Sequence, residues 1–185
     1  STSQPLRDGL FQAVSITTTT GFTTDNFAAW PSVAPIILLF AAFAGGCAGS
    51  TAGGIKIIRV LMIYLQGMRE VKRLIHPNGV FTIKMGRNAV SDRLVDAVWS
   101  FFSVYVFFFL LSVCALMAVG DLDFITAFSA VGACLNNLGP GLGDVAVNYA
   151  DISPSIKWIL IFNMVLGRLE IFTLLVLLTP AYWRR

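Results

Sequence analysis

Two glycine-centred stretches decide the fold of this chain, Thr17-Thr18-Thr19-Thr20-Gly21-Phe22-Thr23 and Asn136-Asn137-Leu138-Gly139-Pro140-Gly141. Each lies in a short segment without charged residues, 10–24 or 124–143, and a long apolar segment follows each. A helix of about a dozen residues is about 18 Å long, roughly half of a bilayer. Such a segment enters and leaves on one side, and its irregular backbone is tolerated only where it lines a cavity or is buried in protein. The sequence therefore predicts two pore hairpins, whose carbonyl oxygens can replace the water around a cation.

The composition indicates an integral membrane protein. The chain has 185 residues, of which 56% are hydrophobic and 12% charged, and its mean hydropathy is +0.77. A soluble domain usually carries about 25% charged residues. The polar start gives no signal-peptide pattern, and the first apolar stretch is already half of a hairpin. We therefore expect the chain to be a fragment that begins within a repeat.

The distribution of charge predicts the orientation in the membrane. Eight of the 13 lysines and arginines lie between Lys56 and Arg93, whereas residues 121–154 contain none. The positive-inside rule places the 66–93 linker and the C-terminus in the cytoplasm, and the second hairpin opens to the outside. A nucleic-acid-binding role for the basic linker is disfavoured, because membrane segments flank it.

The predicted fold class is an all-α integral membrane protein built from helix–pore loop–helix repeats. Hydropathy predicts membrane helices over 97–119 and 157–183, and an apolar segment over 33–65 that is tilted or broken at its glycines. Pore helix and filter occupy 5–24 in the first copy; in the second they are 124–135 and 136–143, before an outer loop over 144–156. The predicted units are 1–65, the basic cytoplasmic linker 66–93 and a complete repeat over 94–185. When Phe11-Gln12-Ala13-Val14 is aligned with Phe128-Ser129-Ala130-Val131, the filter glycine comes one residue later in the second copy.

The two stretches are candidate potassium ligands. Glycine permits backbone conformations that turn neighbouring carbonyls toward an axis, and hard alkali cations prefer oxygen ligands. The alternatives are a threonine-rich loop without a ligand and an ordinary external loop. The candidate filter residues are Thr19, Thr20, Gly21, Phe22, Asn136, Asn137, Leu138 and Gly139.

The glycine-rich segment 45–54 invites three interpretations. A nucleotide-binding P-loop is excluded because Ile55 stands between Gly54 and Lys56, where the motif requires an adjacent lysine. Close helix packing is possible because three glycines stand four residues apart. The third interpretation is a flexible intramembrane gate below the filter, with the candidate residues Gly45, Gly46, Gly49, Ser50, Thr51, Gly53 and Gly54.

Two charged residues fall inside the predicted last helix, Arg168 and Glu170. A charge at that depth is costly and usually faces a water-filled path or a partner. The two are only two residues apart, so they point to different faces of a helix and do not pair directly. Arg168 is either an electrostatic barrier that contacts the gate or part of a structural salt bridge between helices.

Enzymatic activity is not expected. The lone His76 and the three cysteines, Cys47, Cys114 and Cys134, have no ligand spacing and no nucleophile–base partner. The cysteines are interpreted as packing residues. A scaffold role is disfavoured because irregular backbone in a membrane has little use without a cavity.

The residues at 17–24, 45–56, 136–143 and 167–173 resemble TrkH-type potassium transport subunits of the Trk/Ktr/HKT superfamily, and the resemblance extends over essentially the whole chain. It implies four helix–pore loop–helix repeats around one pore, of which this chain supplies the pore loop and second helix of the third and all of the fourth. Residues 19–22 and 137–140 match the filter strands, 45–54 the gating loop, and Arg168 the arginine that faces that loop. Thr23 replaces the second glycine of a potassium-channel filter, which implies looser selectivity.

The resemblance also implies partners and a cellular location. These are the lipids of a bacterial inner membrane, a second copy of the subunit, and a cytosolic nucleotide-binding regulator of the TrkA type that docks on residues 66–93. Potassium is expected as the substrate, with no organic cofactor and no nucleic acid. Passive, gated potassium uptake is the leading hypothesis; the alternatives are proton- or sodium-coupled symport and a less selective sodium and potassium pathway.

Overall fold

The chain folds almost entirely into helices. We describe a computed structural model that covers residues 5–24, 26–31, 33–47, 49–50, 52–86, 88–169 and 171–183. The helices are α1 Pro5–Thr17, α2 Ala34–Ala44, α3 Ile57–Ile75, α4 Asp92–Gly120, α5 Phe124–Leu135, α6 Pro154–Arg168, α7 Ile171–Leu178 and α8 Pro180–Trp183. Two 3-10 turns, Phe27–Ala29 and Gly143–Val145, and a small hairpin complete the described structure.

The basic linker contains more regular structure than the sequence predicts. Residues 66–75 continue α3 as far as Ile75. After a turn, β1 Lys84–Met85 pairs antiparallel with β2 Asn88–Ala89, with Lys84 opposite Ala89 and Met85 opposite Asn88. An amphipathic helix carries polar residues along one face, so the fall in hydropathy after residue 65 does not mark the end of the helix.

Helix α4 is long enough to cross a bilayer. It has 29 residues, or about 44 Å at 1.5 Å per residue, and its apolar composition makes it the one described helix that meets both length and hydropathy requirements for a membrane span. The predicted helix 97–119 lies inside it. The helix extends beyond the prediction by Gly120 at its end and by five residues at its start, where Asp92 in the first turn favours the positive end of the helix dipole.

Helix α5 is the centre of the molecule. Its bounds agree with the predicted pore helix 124–135, and the side chain of Asp123 caps it by accepting the Ile125 N–H at 3.3 Å. Nearly every residue from Thr126 to Leu135 is buried, because α2, α4 and α6 pack around it. A helix that is apolar on all faces is stable only when it is enclosed in this way.

An aromatic cluster joins three of these helices. Phe43 of α2 and Phe128 of α5 both meet Phe109 of α4 edge to face, with ring centroids 5.5 Å and 5.0 Å away. Edge-to-face pairs contribute beyond buried area. Since lipid tails are as apolar as these rings, such close packing, rather than escape from water, holds membrane helices together.

The prediction of one continuous last helix over 157–183 is wrong. Helix α6 begins at Pro154, ends at Arg168, and is followed by a separate α7 from Ile171. The interruption follows Gly167, a weak helix former, at the point where the backbone of α6 lies against the carbonyl oxygen of Leu135. Arg168 is therefore at a helix end, and Glu170 lies outside the described residues.

Candidate functional site

The two predicted filter segments share an unusual backbone conformation. Thr19 and Asn137 both have φ of 53°, and Gly21 and Gly139 have φ of 82° and 109°. These residues stand two and four positions beyond the ends of α1 and α5. Left-handed φ at alternate positions turns successive carbonyls toward one side, whereas a regular strand alternates them between two sides. Counted from the helix ends, the two filter segments therefore match residue for residue. The one-residue offset seen in the sequence alignment arises within the pore helices.

The amide groups of both segments point back toward their own helices. The Thr20 N–H donates to the Ser15 carbonyl and the Leu138 N–H to the Ala133 carbonyl, each at 2.8 Å. The preceding pair is also equivalent, since the N–H groups of Thr19 and Asn137 donate at 3.1 Å to carbonyls in the last turn of α1 and α5. Because these backbone N–H groups bond within their own hairpins, the carbonyl oxygens of the segments are the backbone groups that can face a cation.

The two segments lie next to each other. A Cβ at Gly21 would overlap the carbonyl oxygen of Leu138, so this approach requires glycine. Ile16 and Leu138 belong to one buried apolar cluster with Leu142. Both pore helices end at this place, and the partial negative charge of their C-termini favours a cation there.

Several side chains that support the filter were missed in the sequence. Tyr105 of α4 donates its hydroxyl to the side-chain oxygen of Asn136 at 2.7 Å, and the amide nitrogen of Asn137 donates to the Met164 carbonyl at 3.2 Å. Ser15 and Tyr149 donate to filter carbonyls. Asn136 and Asn137 thus act through their side chains as anchors to α4 and α6. Only the polarity of Asn136 and Asn137 next to an apolar helix could have signalled this.

The candidate gate lies directly against both filter segments. The Gly53 N–H donates to the Thr19 hydroxyl at 3.1 Å, and a Cβ at Gly53 would overlap the Asn136 carbonyl oxygen. The loop returns to its starting point, since Ile55 N–H donates to the Phe43 carbonyl at 3.0 Å and Ile57 N–H to the Gly46 carbonyl at 3.3 Å. Gly45, Gly46, Gly49, Ser50, Gly53 and Gly54 belong to this loop, and Thr51 lies outside the described residues.

The described residues of the loop between α2 and α3 are not helical. The interpretation of Gly45, Gly49 and Gly53 as a helix-packing stripe is therefore wrong. Gly45 and Gly54 have φ of 61° and 82°, a region that side chains rarely adopt. The glycines serve to turn the chain back on itself beneath the filter.

Arg168 and the loop line one cavity. This cavity of about 190 Å³ is bounded by Ser50, Gly53, Gly54 and Arg168, and by two further cations, Lys56 and Arg59. The Arg59 guanidinium also lies 4.2 Å from the centre of the Phe101 ring, a cation–π contact that holds it at the cavity edge. The structure thus brings Arg168 and the candidate gate together, and it adds two cations that sequence reasoning did not assign.

The ligands that this site offers to an ion are oxygens. Among the residues that the structure describes, no group of three histidine, cysteine, aspartate or glutamate side chains could hold a metal. The cysteines in this part of the chain are free thiols; Cys47 and Cys114 are exposed and Cys134 is buried. Carbonyl and hydroxyl oxygens suit hard cations such as alkali ions.

Comparison with known proteins identifies the family. The sequence model of the TrkH family, described as a cation transport protein, matches residues 2–185. The chain belongs to the TrkH family. The Trk system potassium uptake protein TrkH of Vibrio parahaemolyticus is 59% identical over 175 residues, which cover 95% of this chain and 36% of that protein. The protein of the same description from Salmonella typhimurium is 57% identical over 179 residues, or 97% of this chain and 37% of its own length.

A solved TrkH structure supports the same fold. The crystal structure of the potassium transporter TrkH from Vibrio parahaemolyticus matches with a TM-score of 0.90 at 56% identity and covers 100% of this chain and 40% of that one. The chain spans somewhat more than a third of the length of these TrkH relatives. The predicted family and the predicted all-α membrane fold of helix–pore loop–helix type are therefore confirmed.

Proposed function

We propose that this TrkH-family chain supplies two filter segments to a pathway for potassium uptake across a bacterial inner membrane. The observation that carries the proposal is that the segments 19–22 and 136–139 both have left-handed φ at the second and fourth residues beyond a pore helix and lie against each other. Relatives at 57–59% identity are described as potassium uptake proteins. Transport, rather than catalysis, is the activity that such a site supports.

The carbonyl oxygens of these segments replace part of the hydration shell of the ion. Thr19, Thr20, Gly21 and Phe22 supply one side, and Asn136, Asn137, Leu138 and Gly139 the other. Two segments enclose only part of an ion. The remaining oxygens come from further repeats of the same kind, as the resemblance to four-repeat subunits implies.

The loop 45–54 and Arg168 act as the gate below this filter. The loop contacts the filter through the Gly53–Thr19 hydrogen bond of 3.1 Å, and Arg168 borders the same cavity. A cation that leaves the filter toward the cytoplasm meets a narrow backbone constriction and three positive side chains. Both oppose its passage until the loop moves.

The passive pathway is favoured over coupled symport. The acidic candidates for coupling are few in the sequence: Glu170, which lies outside the described residues, and Asp96 in the second turn of α4. Coupling to protons usually uses acidic residues along the path. The proposed pathway is therefore one whose flux follows the potassium gradient.

The basic segment 66–93 is the proposed docking face for a cytosolic nucleotide-binding regulator. It projects along α3 to Ile75 and ends in the β1–β2 hairpin. On this face Arg69 is paired with Asp92 at 2.7 Å, which fixes the end of α3 against the start of α4. A homodimer of the membrane subunit is part of the same proposal. Loss of regulator binding on replacing Lys72 and Arg73 by glutamate, measured by co-purification, tests this face.

The function is tested by potassium-tracer uptake, with and without excess sodium, in cells that lack their own potassium uptake. The chain is expressed as given and joined to its upstream coding sequence. We expect potassium uptake only from the longer form, and excess sodium should hardly reduce it. In the variants Gly21→Ser and Gly139→Ser, strained at positive φ by about 1–3 kcal/mol, discrimination against sodium falls. Equal discrimination in correctly inserted variants would refute the filter assignment.

The gate is tested separately by deleting residues 47–50. This change shortens the loop without removing Gly53 or its bond to Thr19. We expect a severalfold higher potassium flux with unchanged ion preference. An equal or lower flux in correctly inserted protein would contradict the gating role.

A further inference from the structure

Carbonyl groups at the far ends of both filter segments accept hydrogen bonds from side-chain hydroxyl groups. Tyr149 donates to the Gly139 carbonyl at 2.7 Å, and Ser15 donates to the Phe22 carbonyl at 2.6 Å. We propose that Ser15 and Tyr149 are positioning residues that fix these two carbonyls and thereby set the preference for potassium over sodium. The inference rests on the proposed function, since it concerns the same filter.

Tyr149 reaches the filter from the outer loop between α5 and α6. Its ring packs against the apolar core that surrounds α5, and its hydroxyl lies 4.0 Å from the Cys134 thiol. Burial, with a smaller contribution from Cys134, raises the pKa of the Tyr149 phenol above its usual range. The hydroxyl therefore keeps its proton in the physiological range and remains a donor to Gly139.

Ser15 reaches the first segment from within α1. It is only 5% exposed, and its backbone carbonyl accepts the Thr20 N–H at 2.8 Å while its hydroxyl donates to Phe22. One residue thus holds both the near and the far part of the segment. A serine hydroxyl in a helix usually bonds within its own helix, so this outward bond is a specific feature of the site.

The two hydroxyl donors, Ser15 and Tyr149, occupy different positions relative to their filter segments. A serine precedes the first filter and a tyrosine follows the second, and the two do not correspond when the copies are aligned. Yet each donates to a carbonyl at or next to the filter glycine. A carbonyl whose second lone pair is engaged by a fixed donor cannot swing freely, so its distance from the axis is set by the protein. Because sodium is smaller than potassium, a carbonyl that cannot follow the ion inward discriminates against it.

The experiment uses the whole protein, with the upstream coding sequence, in cells that lack their own potassium uptake. The variants are Tyr149→Phe and Ser15→Ala, each of which removes a hydroxyl and little else. Matched controls are Tyr64→Phe on the exposed face of α3 and Ser103→Ala, whose hydroxyl bonds the Trp99 carbonyl within α4. Ser15→Thr restores a hydroxyl. The readout is the ratio of potassium to sodium uptake, with the amount of inserted protein measured in parallel.

We expect the ratio to fall about fivefold in each hydroxyl deletion, the size that follows from loss of one hydrogen bond. The ratio stays unchanged in both controls and is restored in Ser15→Thr. An equal loss of both fluxes at an unchanged ratio would mean that the hydroxyls only support the fold, and would overturn the inference.

The proposed function fails in a different way. If the unaltered protein takes up no potassium, or if Gly139→Ser leaves the ratio unchanged, the filter assignment itself is wrong, and the inference is overturned with it. If Gly139→Ser lowers the ratio and Tyr149→Phe does not, the filter assignment stands and the inference about Tyr149 is refuted.

Discussion

The two predicted pore hairpins share a backbone conformation at their candidate filter segments, but their surroundings within this chain are very different. Helix α5 is enclosed by α2, α4 and α6, and its residues are almost all buried. Within this chain, helix α1 packs mainly against α2, and Leu6, Leu10 and Val14 are exposed by 83%, 68% and 61%. Nevertheless, both filters have left-handed φ at the second and fourth residues beyond the helix end.

The comparison indicates what determines a filter segment. Its conformation is set locally, by the helix end, by the N–H groups that turn back to that end and by the glycine that follows. The packing around the pore helix differs between the two hairpins, so it does not account for the conformation that they share. Stability and filter geometry should therefore respond to different substitutions in the two hairpins.

The largest difference is expected for leucine truncation in the two pore helices. Leu135 is fully buried and Leu10 is 68% exposed. Leu135→Ala should lower the free energy of unfolding by about 2–5 kcal/mol, and Leu10→Ala by no more than about 0.5 kcal/mol. Thermal unfolding of the purified 185-residue chain in detergent measures both. Equal losses would mean that α1 is packed as tightly as α5 and would break the comparison.

Alanine substitutions at two helical glycines should change the free energy of unfolding in opposite directions. A Cβ at Gly167 would overlap the Leu135 carbonyl, whereas a Cβ at Gly9 in α1 meets nothing within 4 Å. Gly167→Ala should destabilise the chain by about 1–3 kcal/mol through overpacking, while Gly9→Ala should stabilise it by about 0.5–1 kcal/mol. The same unfolding measurement applies. A destabilising Gly9→Ala would reveal a close neighbour of α1.

A smaller effect is expected at the contact between the loop 45–54 and the filter segments. Only the first filter among the described segments accepts a hydrogen bond from the loop, through the Thr19 hydroxyl. Thr19→Val keeps the side-chain shape but leaves the Gly53 N–H without this acceptor, at a cost of about 1 kcal/mol. We expect a severalfold rise in potassium flux. Thr17→Val, which removes a bond to the Ala13 carbonyl within α1, serves as control; a rise in both variants would contradict the role of the loop contact.

The smallest expected effect is that of pH on the ratio of potassium to sodium uptake. The Tyr149 phenol has a raised pKa because it is buried, so its donor form is fully present at low and neutral pH and is lost only as pH rises through that raised value. The ratio of potassium to sodium uptake should therefore stay constant from about pH 6 to about pH 9. A decline already below pH 9 would show that the hydroxyl loses its proton in its usual range.

Hydropathy and turn residues were sufficient to predict the elements with local signals. The pore helix over 124–135 was predicted to the residue, because Asp123 caps its start and the polar Asn136 follows its end. The break in the segment 33–65 was predicted from its glycines. The interruption after Arg168 was not, because it depends on the contact between Gly167 and Leu135, which belong to separate helices.

The turns at the two candidate filter segments were predicted, their role as a filter stays a prediction, and the side chains that support them were missed. The glycines at 21 and 139 indicate a turn from the sequence alone, so the candidate filter residues around them could be named. Tyr105 and Tyr149 look like ordinary residues of an apolar helix and a polar loop, and only the fold brings their hydroxyls to Asn136 and Gly139. Lys56 and Arg59 were counted as part of a basic region, and their place beside Arg168 depends on how the loop turns.

The hydrogen bond between Gly53 and Thr19 would make the proposed gate and the proposed filter a linked system. An ion that prefers one arrangement of the filter also prefers the loop position that belongs to it, and the preference is reciprocal. If an open loop weakens ion binding by some factor, a bound ion must shift the loop toward closure by the same factor. The potassium concentration outside the cell would then itself bias the gate, because the affinity of the filter and the opening of the loop share this one contact.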